Sequence, residues 1–425
     1  MSQLNYLEKL LDGVEVEWKP VGEIFDLKNG YTPSKANSAY WANGEVPWFR
    51  MEDIRTNGRV LKSAIQSVSK LAVKGKLIPA NSLIMSTTAT LGEHALIEVP
   101  FLTNQQITSF SFNDEYREKV DVKFMFHYFF KFGKWCAENA NKNGGMGIIS
   151  LGKLKQFQIP IPCPNNPEKS LAIQAEIVRI LDAFTAMTAE LTAELNMRKK
   201  QYNYYRDQLL SFEEGDVEWK ALGEIGHIVT GRTPKSSDKS AWGNDVDFVT
   251  PSDIKNGMRN IAFPSRRLSA EGAASMSKVL LPSGSLLVTC IGADMGKTVI
   301  NANDCIPNQQ INAITLTDDS VQVGYLFHVL TAMREALRRQ GELGGGTMPL
   351  INKSDFSKIV VPIPSHEEQN RIATILDKFD ALTNSITEGL PREIELRQKQ
   401  YEYYRDLLLS FPACPAGGPK PEEAA

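Results

Sequence analysis

The segment RKKQYNYYRDQLLSF at residues 198–212 returns with three changes as RQKQYEYYRDLLLSF at residues 397–411. Five further pairs of segments follow the same order in the two halves of the chain, and all offsets lie between 195 and 204 residues. With their first residues, these pairs are VEWKPVGEI at 16 and VEWKALGEI at 217, NGYTPSK at 29 and TGRTPKS at 230, TNQQI at 103 and PNQQI at 307, IPIP at 159 and VPIP at 361, and ILDAF at 180 and ILDKF at 375. Chance does not produce such a series in one order, so the chain is predicted to be a tandem duplication.

Each repeat is predicted to begin with a globular domain and to end in a long helix. Short runs such as SLIMSTTA from Ser82 and SLLVTCIG from Ser285 are typical of strands, and the proline-rich segments IPIPCPNNP and VPIPS end the globular part. The sequence therefore predicts an α+β fold with two mixed α/β domains, each followed by a long helix. The predicted boundaries are an N-terminal cap segment at 1–13, a first globular domain at 14–165, a central long helix at 166–212, a second globular domain at 213–365, a C-terminal long helix at 366–411 and a disordered tail at 412–425.

The two long helices carry the apolar spacing of a coiled coil. From Ile173 to Leu191, apolar residues recur at alternating steps of four and three residues, and a related series runs from Ile372 to Leu408. The simplest arrangement packs the helices against each other as an antiparallel coiled coil with pseudo-two-fold symmetry, with segment 6–12 capping the second helix. The residues assigned to the helix pair and to partner docking are Ile180, Phe184, Leu191, Leu195, Tyr202, Tyr205, Ile375, Phe379, Tyr401 and Tyr404.

Two local features disturb this pattern. The tetrapeptide TAEL occurs twice in succession from Thr188, so Leu195 follows Leu191 after four residues where three are due, which is a stutter. Gly389 and Pro391 interrupt the second helix, and a kink or a short break is predicted there.

The composition carries no signature of a membrane protein or a metal site. The formal net charge is −3, but residues 14–165 hold 18 basic against 14 acidic residues, a net of +4, and residues 213–365 hold 15 against 17, a net of −2. No run of about 18 apolar residues predicts a membrane span, and the first residues lack the features of a signal peptide. The five cysteines form no cluster with ligand spacing, so no zinc site is predicted and a reducing, cytoplasmic location is expected.

Motifs of catalysis are absent from the sequence. The segment GADMGKT at 292–298 has three residues between its first glycine and Gly-Lys where a phosphate-binding loop needs four, and the first repeat has TATLGEH instead. No dinucleotide fingerprint, nucleophile elbow, metalloprotease helix or Asn-Pro-Pro-Tyr-type segment is present. We also expect no position at which both repeats carry histidine, and this argues against a catalytic triad. The histidines are His94, His127, His227, His328 and His366.

The order of globular unit, PIP segment, and helix with ILD and QYxYYRDxLLSF, all repeated, resembles the specificity subunit (HsdS) of type I restriction-modification systems, most closely the type IC branch. The resemblance covers residues 1 to about 411. It implies that the globular units are target-recognition domains, each reading one part of a bipartite, asymmetric double-stranded DNA sequence. It also implies that the helices set the spacing and dock two methyltransferase (HsdM) subunits, which restriction (HsdR) subunits then join.

By the same resemblance, this chain carries no catalytic residue and binds no cofactor or metal. S-adenosylmethionine, Mg and ATP belong to the partner subunits. Two alternatives remain open: a stand-alone DNA methyltransferase or nuclease, and a scaffold that binds only protein.

A comparison of the repeats separates candidate base-reading residues from scaffold. Residues identical in both repeats cannot by themselves distinguish two half-sites, whereas equivalent positions that differ can. Arginine favours guanine and glutamate can accept from cytosine, and clustered basic residues are candidates for phosphate contacts. The DNA-binding candidates are Tyr31, Lys35, Arg50, Glu52, Lys62, Lys70, Lys74, Thr87, Thr88, Asn104 and Gln105 in the first repeat and Arg232, Lys235, Thr250, Ser252, Arg266, Arg267, Lys297, Asn308 and Gln309 in the second.

Several of these assignments have an alternative. The shared Asn-Gln-Gln segments either stabilise a turn or contact adenine. Any single basic residue in the set is either a DNA contact or an ordinary solvated charge. The shared tryptophans Trp18, Trp41, Trp219 and Trp242 are predicted to lie in the core.

Overall fold

The computed structural model of the chain describes residue 10 and residues 14–141, 147–213, 215–235, 237–343, 348–385 and 388–412. The chain divides into two units. Unit 1 extends to Met187 and resumes at Gln398, and unit 2 comprises Thr188–Arg397. Each unit therefore combines the globular domain of one repeat with segments of the long helices. The predicted cap at 1–13 and tail at 412–425 lie almost wholly outside the described residues.

Between residues 14 and 165, the described part of the first repeat forms ten strands and four short or medium α-helices. The strands are β1 (Val16–Pro20), β2 (Phe25–Asn29), β3 (Val46–Phe49), β4 (Val60–Leu61), β5 (Ser67–Val68), β6 (Ser82–Ser86), β7 (His94–Ile97), β8 (Leu102–Thr103), β9 (Ile107–Phe112) and β10 (Gln158–Pro162). The helices are α1 (Val21–Ile24), α2 (Met51–Asn57), α3 (Val122–Asn139) and α4 (Leu151–Leu154). The central long helix α5 (Pro167–Leu209) follows.

The second repeat forms the same series of strands, but its helices are divided differently. Its strands are β11 (Glu218–Ala221), β12 (Gly226–Thr230), β13 (Trp242–Val249), β14 (Asn260–Ile261), β15 (Arg266–Leu268), β16 (Leu286–Thr289), β17 (Thr298–Asn301), β18 (Cys305–Pro307), β19 (Ile311–Leu316) and β20 (Val360–Ile363). Its helices are α6 (Leu222–Ile225), α7 (Ala270–Ser275), α8 (Val323–Ala332), α9 (Arg334–Glu342) and α10 (Lys353–Ser357), followed by α11 (His366–Thr383) and α12 (Gly389–Leu408).

Both domains share one sheet topology, which confirms the duplication. The first domain has a five-stranded sheet of order β2-β9-β6-β7-β4, a three-stranded sheet β5-β3-β8 and a two-stranded sheet β1-β10. The second has β12-β19-β16-β17-β14, β15-β13-β18 and β11-β20. Only the pairs β4 with β7, β3 with β8, β14 with β17 and β13 with β18 are parallel among the described strands. The fold is thus α+β with mixed sheets, as predicted.

The central strands β6 and β16 are covered on both faces. Leu83 and Met85 of β6 pack in the cluster that holds Phe129 of α3, whereas Ile84 packs on the other face with Phe49. Successive side chains of a strand point to opposite faces, so the continuous apolar run SLIMS supplies two cores at once. The equivalent run in β16 divides between two clusters in the same way.

The apolar residues of the long helices contact two kinds of partner, a globular domain and another long helix. In unit 1, Ile173 and Ile177 of α5 are buried in the core cluster of the globular domain, which holds residues of α3 and also Leu408 at the end of α12. Further along α5, Phe184 stacks on Tyr404 of α12 with ring centroids 5.0 Å apart. Met187 then exposes 41% of its surface. The series therefore predicts correctly which face of the helix is apolar, but its first part docks the helix on its own domain.

Helix contacts in unit 2 follow the same plan. Ile372 and Leu376 of α11 pack into the core cluster of the second domain. Tyr205 of α5 stacks on Phe379 of α11 at 5.7 Å, and Tyr202 is 6.3 Å from the same ring. The break predicted around Gly389 and Pro391 is present, since α11 ends at Thr383 and α12 begins at Gly389. The predicted seam residue 386 lies outside the described residues.

The prediction that the shared tryptophans lie in the core is wrong for Trp219, which exposes 45% of its surface. Trp219 lies opposite Pro362 on the two-stranded sheet of β11 and β20. Trp18 occupies the matching position in the first domain, and its indole N–H donates to the Pro412 carbonyl oxygen at 3.2 Å. Trp41 and Trp242 pack against the cores of their domains.

Candidate nucleic-acid interface

Several strands of the first domain end or begin at one edge. Strands β2 and β6 both run antiparallel to β9, so Asn29 pairs with Thr108 and Ser86 pairs with Ile107 at the start of β9. Strands β3 and β8 are parallel and end side by side, and a three-residue turn joins β8 to β9. We call the segments that follow these strands the strand-end surface. It consists of 30–32, 50–52, 87–88 and 104–105 in unit 1, and of 231–233, 250–252, 290–291 and 308–309 in unit 2.

Backbone hydrogen bonds hold these segments together identically in both units. In unit 1, Tyr31 N donates to Thr103 O at 2.8 Å and Asn104 N donates to Phe49 O at 3.2 Å. In unit 2, the equivalent bonds are Arg232 N to Pro307 O at 2.8 Å and Asn308 N to Val249 O at 2.9 Å. A third bond, from Thr87 N to Gln106 O at 3.0 Å in unit 1, corresponds to that from Cys290 N to Gln310 O at 2.8 Å in unit 2. The two units therefore build this surface on the same backbone scaffold.

A glycine in each unit permits this close approach. A Cβ added to Gly30 would lie 2.2 Å from Asn104 O, and one added to Gly231 would lie 2.2 Å from Asn308 O. Both neighbours are backbone atoms that cannot rotate away. The loop after β2 or β12 can therefore rest on the Asn-Gln-Gln turn only because glycine stands at these positions.

The shared Asn-Gln-Gln residues build the turn itself. Asn104 Oδ1 accepts from Gln106 N at 3.2 Å, and Asn308 Oδ1 accepts from Gln310 N at 2.9 Å. Both asparagines are buried, so the geometry favours the turn-stabilising interpretation for them. The exposed Gln105 and Gln309 differ from them, because each accepts from a threonine hydroxyl of the neighbouring loop and faces solvent.

A pair of carboxylates that is not among the sequence-predicted residues supports this surface. The buried Asp53 accepts from Arg50 N at 2.7 Å and from Ile65 N at 2.6 Å. In unit 2, Asp253 accepts from Thr250 N and from Ser265 N, both at 2.9 Å. Burial opposes ionisation of Asp253, but the hydrogen bonds from Thr250 and Ser265 outweigh it and hold its pKa below the usual value. The signal that could have found the pair is the Asp-Ile dipeptide shared by MEDI and PSDI.

Side chains that differ between the repeats stand on this common scaffold. Arg50 and Glu52 form an ion pair of 2.9 Å in unit 1, whereas Thr250 and Ser252 share a hydroxyl hydrogen bond of 2.8 Å in unit 2. The backbone bonds also align Thr87 and Thr88 with Cys290 and Ile291. The strand-end surface thus combines shared support with different chemistry.

Tyr31 and Lys74 of unit 1 lie together beside this surface. The Tyr31 hydroxyl donates to Ala72 O at 2.9 Å and accepts from Lys74 N at 2.8 Å, and the Lys74 ammonium lies 5.5 Å from the ring centroid. Because the backbone holds the Tyr31 hydroxyl, the exposed part of the pair is the Lys74 side chain. Lys35 and Lys235 are exposed in the loops that follow Tyr31 and Arg232.

Other basic candidates lie elsewhere. Lys62 follows β4 at the opposite end of the five-stranded sheet, where it pairs with Glu98 at 3.3 Å. Lys70 lies near the start of β3 and pairs with Glu45 at 2.5 Å. Both side chains remain largely exposed, but the structure does not bring them to the strand-end surface.

In unit 2, two basic candidates are occupied by carboxylates. Arg267 Nε lies 2.8 Å from Asp247, which is buried. Lys297 Nζ lies 2.6 Å from Asp294 and donates to Ile254 O at 3.2 Å, and its side chain is only 13% exposed. Arg266 is exposed, and its guanidinium stacks on the ring of Trp242.

The expectation that no histidine position is shared between the repeats is wrong. His127 and His328 are both the sixth residue of a helix, α3 and α8 respectively, and both are buried. His127 Nε2 is 3.0 Å from Asp182, and His328 Nε2 is 2.6 Å from Asp377. The flanking helix sequences differ enough to hide the match.

These contacts tie each globular domain to a long helix. Asp182 and Asp377 belong to the ILD segments, and His127 Nδ1 also lies 2.9 Å from the Tyr401 hydroxyl in unit 1. Hydrogen bonds from His127 and Lys123 hold the pKa of Asp182 below its ordinary value, against the effect of burial. The pair is a junction between domain and helix, and it lies far from the strand ends in sequence and in topology.

Within the described part of the chain, no group of three or more His, Cys, Asp or Glu side chains is placed to hold a metal ion. No helix among those residues combines the length and apolar character needed to cross a membrane.

Comparison with known proteins identifies relatives over the whole length. The family described as "Type I restriction modification DNA specificity domain" matches residues 13–198 and 214–396. The chain is 45% identical over 395 residues to the type I restriction enzyme EcoprrI specificity subunit of Escherichia coli, covering 91% of this chain and 93% of that one. It is 40% identical over 416 residues to the EcoR124I/EcoR124II specificity subunit of Escherichia coli, covering 97% and 98%.

Solved structures share the fold at lower identity. A structure titled as the basis of complex assembly and conformational transition of the type I R-M system superposes with a TM-score of 0.62 at 18% identity, covering 93% of this chain and 97% of that chain. The type I system S subunit from M. genitalium superposes with a TM-score of 0.53 at 15% identity, covering 95% and 98%.

Proposed function

The chain belongs to the family of type I restriction-modification DNA specificity subunits, which are not themselves catalytic, and we propose that each of its globular domains reads one half of a bipartite, asymmetric double-stranded DNA target. The observation that carries this proposal is the strand-end surface. Both units build it with the same backbone bonds, the same glycine and an equivalent aspartate, yet they present different side chains at 31, 50 and 52 and at 232, 250 and 252. A common scaffold with different side chains suits two different half-sites.

The long helices are proposed to set the spacing between the half-sites and to dock two methyltransferase (HsdM) subunits. Tyr204 and Tyr403 occupy the same position of the QYxYYRD segments and expose 59% and 58% of their surface. Exposed tyrosines are common anchors of protein interfaces, and two copies of one segment suit two copies of one partner. Restriction (HsdR) subunits would join through that complex, in the cytoplasm, with S-adenosylmethionine, Mg and ATP held by the partner subunits.

Exchange of one domain tests the assignment of half-sites. Residues 14–162 are replaced by the equivalent region of a related specificity subunit, and methylated positions are mapped in a host that supplies the partner subunits. One half-site should change while the other and the spacing persist, because the two domains belong to separate core clusters. The reciprocal exchange of 213–363 is the matched control and should change the other half-site. A change of both half-sites by one exchange contradicts the proposal.

Two simpler assays address the alternatives. The purified chain with labelled S-adenosylmethionine and target DNA should transfer no methyl group until methyltransferase subunits are added, whereas a stand-alone methyltransferase would act alone. A footprint of the assembled complex should show that the DNA is protected at both half-sites. If this chain were a scaffold that binds only protein, it would protect neither half-site.

A further inference from the structure

Each unit carries a pair of perpendicular aromatic rings beside the strand-end surface. In unit 1, the rings of Trp41 and Trp48 are 5.2 Å apart at an interplanar angle of 84°. In unit 2, Trp242 and Phe248 are 5.1 Å apart at 88°. The pair is therefore a second feature that the two units make alike.

Indole hydrogen bonds join this aromatic pair to the surface in unit 1. Trp48 Nε1 donates to Tyr31 O at 3.0 Å, and Trp41 Nε1 donates to Ser34 O at 3.1 Å. Both acceptors lie in the loop that follows β2. The aromatic pair consequently has a fixed position relative to the residues that end β2 and β3.

An arginine rests on the aromatic pair in both units, but it comes from different positions of the chain. In unit 1, the Arg50 guanidinium lies 5.6 Å from the centroid of Trp48. In unit 2, the guanidinium of Arg266 lies 3.4 Å from the centroid of Trp242 and 6.0 Å from that of Phe248.

The two positions are exchanged between the repeats. Asp53 binds the backbone of residues 50 and 65, and Asp253 binds that of residues 250 and 265, so position 50 corresponds to 250 and position 66 to 266. Unit 1 thus has arginine at 50 and Gln66 at the strand position, whereas unit 2 has Thr250 and the arginine at 266. Each unit therefore has one arginine on its aromatic pair, but the arginine comes from a different position of the chain in each unit.

The aromatic ring restricts the guanidinium in a way that suits base recognition. Stacking on a ring face fixes the plane of the guanidinium and leaves its edge of N–H donors free. That edge matches the O6 and N7 acceptors of guanine in a bidentate contact, the commonest specific contact in protein–DNA complexes. Among the described residues, no carboxylate pairs with Arg266, and the side chain is exposed. A phosphate contact would need neither the fixed plane nor an exchange of position between the repeats.

We propose that Arg50 and Arg266, each oriented by the aromatic pair of its unit, read a guanine in the half-site of that unit. This inference rests on the proposed function and assigns a base to each domain. The different origins of the two arginines would place the guanine at different points of the two half-sites. In unit 1, Glu52 pairs with the Arg50 guanidinium at 2.9 Å and would remain beside it during recognition.

The test maps methylated sequences in a host that supplies the partner subunits, with variants R266K and R50K in the full chain. Lysine keeps the charge and loses the bidentate edge. R266K should reduce discrimination for guanine at one position of one half-site by about tenfold to hundredfold, and leave the other half-site unchanged. R50K should do the same in the other half-site. R338K and R117K, exposed arginines outside the strand-end surface, are matched controls and should leave both sequences intact.

Several results would overturn the inference. These are a uniform loss of methylation with both sequences preserved, an unchanged pattern, both variants acting on one half-site, or a half-site that contains no G·C pair. If a lysine variant fails to assemble, R266Q is used instead, because unit 1 has glutamine at the equivalent position. The complex with R266Q is then titrated against duplexes in which each G·C pair is replaced in turn. Equal loss on all duplexes again rejects base recognition. If the unaltered chain directs no bipartite methylation at all, the proposed function fails instead.

Discussion

At the scale of single residues, the side chains that matter most to the candidate interface are those that hold other groups in place. Gly30 and Gly231 allow two loops to touch, and Asp53 and Asp253 hold the backbone where the variable residues begin. The sequence showed that the glycines and the Asn-Gln-Gln segments are shared by both repeats, but it left the Asn-Gln-Gln segments open between a turn and a contact with adenine. The contact of Arg266 with Trp242 could not, because those residues are 24 positions apart and only the pairing of β13 with β15 brings them together.

Buried histidine makes unit 1 sensitive to acid. Burial, reinforced by the charge of Arg59, lowers the pKa of His94 to about 3, and both ring nitrogens lie near backbone carbonyl oxygens at 3.0 and 3.3 Å. Between pH 6.5 and pH 3 the unfolded chain binds a proton here that the folded chain does not. The resulting stability is complete above pH 6.5 and falls as the pH drops through this window.

We therefore expect His94→Gln to reduce the pH dependence of unfolding. Between pH 7 and pH 5, urea unfolding of the full chain should lose about 2 kcal/mol less stability in the variant than in the parent. His227→Gln is the control, because His227 is exposed and should leave the slope unchanged. Identical slopes in H94Q and the parent would show that His94 is protonated in the folded state.

At the scale of secondary-structure elements, periodicity predicted the helices better than it predicted their partners. Apolar spacing shows that one face of α5 is buried, but it does not show what covers that face. Ile173 and Ile177 lie in the core cluster of the globular domain, to which Leu408 of α12 also belongs, whereas Phe184 stacks on Tyr404. The short strands β4, β5 and β8 escaped prediction for a related reason, since two-residue strands carry too little alternation to be recognised.

Phe184→Ala tests the contact between the long helices within unit 1. The variant loses the stack on Tyr404, and because Phe184 is only half-buried, the cost should be below the value of about 3–5 kcal/mol for a fully buried phenylalanine. We expect a lower melting temperature and weaker assembly with methyltransferase subunits, with the near-ultraviolet circular dichroism of the globular domains retained. Met187→Ala on the same helix is the control and should have little effect, because Met187 is largely exposed. If both variants have the same melting temperature and assemble equally well, the contact between the long helices does not contribute to assembly.

At the scale of the whole molecule, one element belongs to both units. Helix α5 continues without interruption for 43 residues, and the division between the units falls between Met187 and Thr188. The doubled TAEL occupies residues 188–195, directly after that division. Its threonine, alanine and glutamate side chains are mainly exposed or half-buried, so the helix can be lengthened here without disturbing either globular core.

A third TAEL inserted after Leu195 tests whether this helix sets the spacing. Four helical residues turn by about 400°, a net rotation of roughly 40°, and one base pair of B-DNA turns the duplex by about 36°. The variant should keep both half-site sequences and lengthen the gap between them by one base pair, as read from methylated positions. The added length of about 6 Å exceeds the rise of about 3.4 Å per base pair, so tilt or slack in the domains must absorb the difference. Inserting two residues would instead rotate one end by about 200° and should abolish methylation. If the three-TAEL protein still modifies DNA at the original spacing, the repeat reflects only the helix-forming tendency of alanine, glutamate and leucine, and the ruler lies elsewhere.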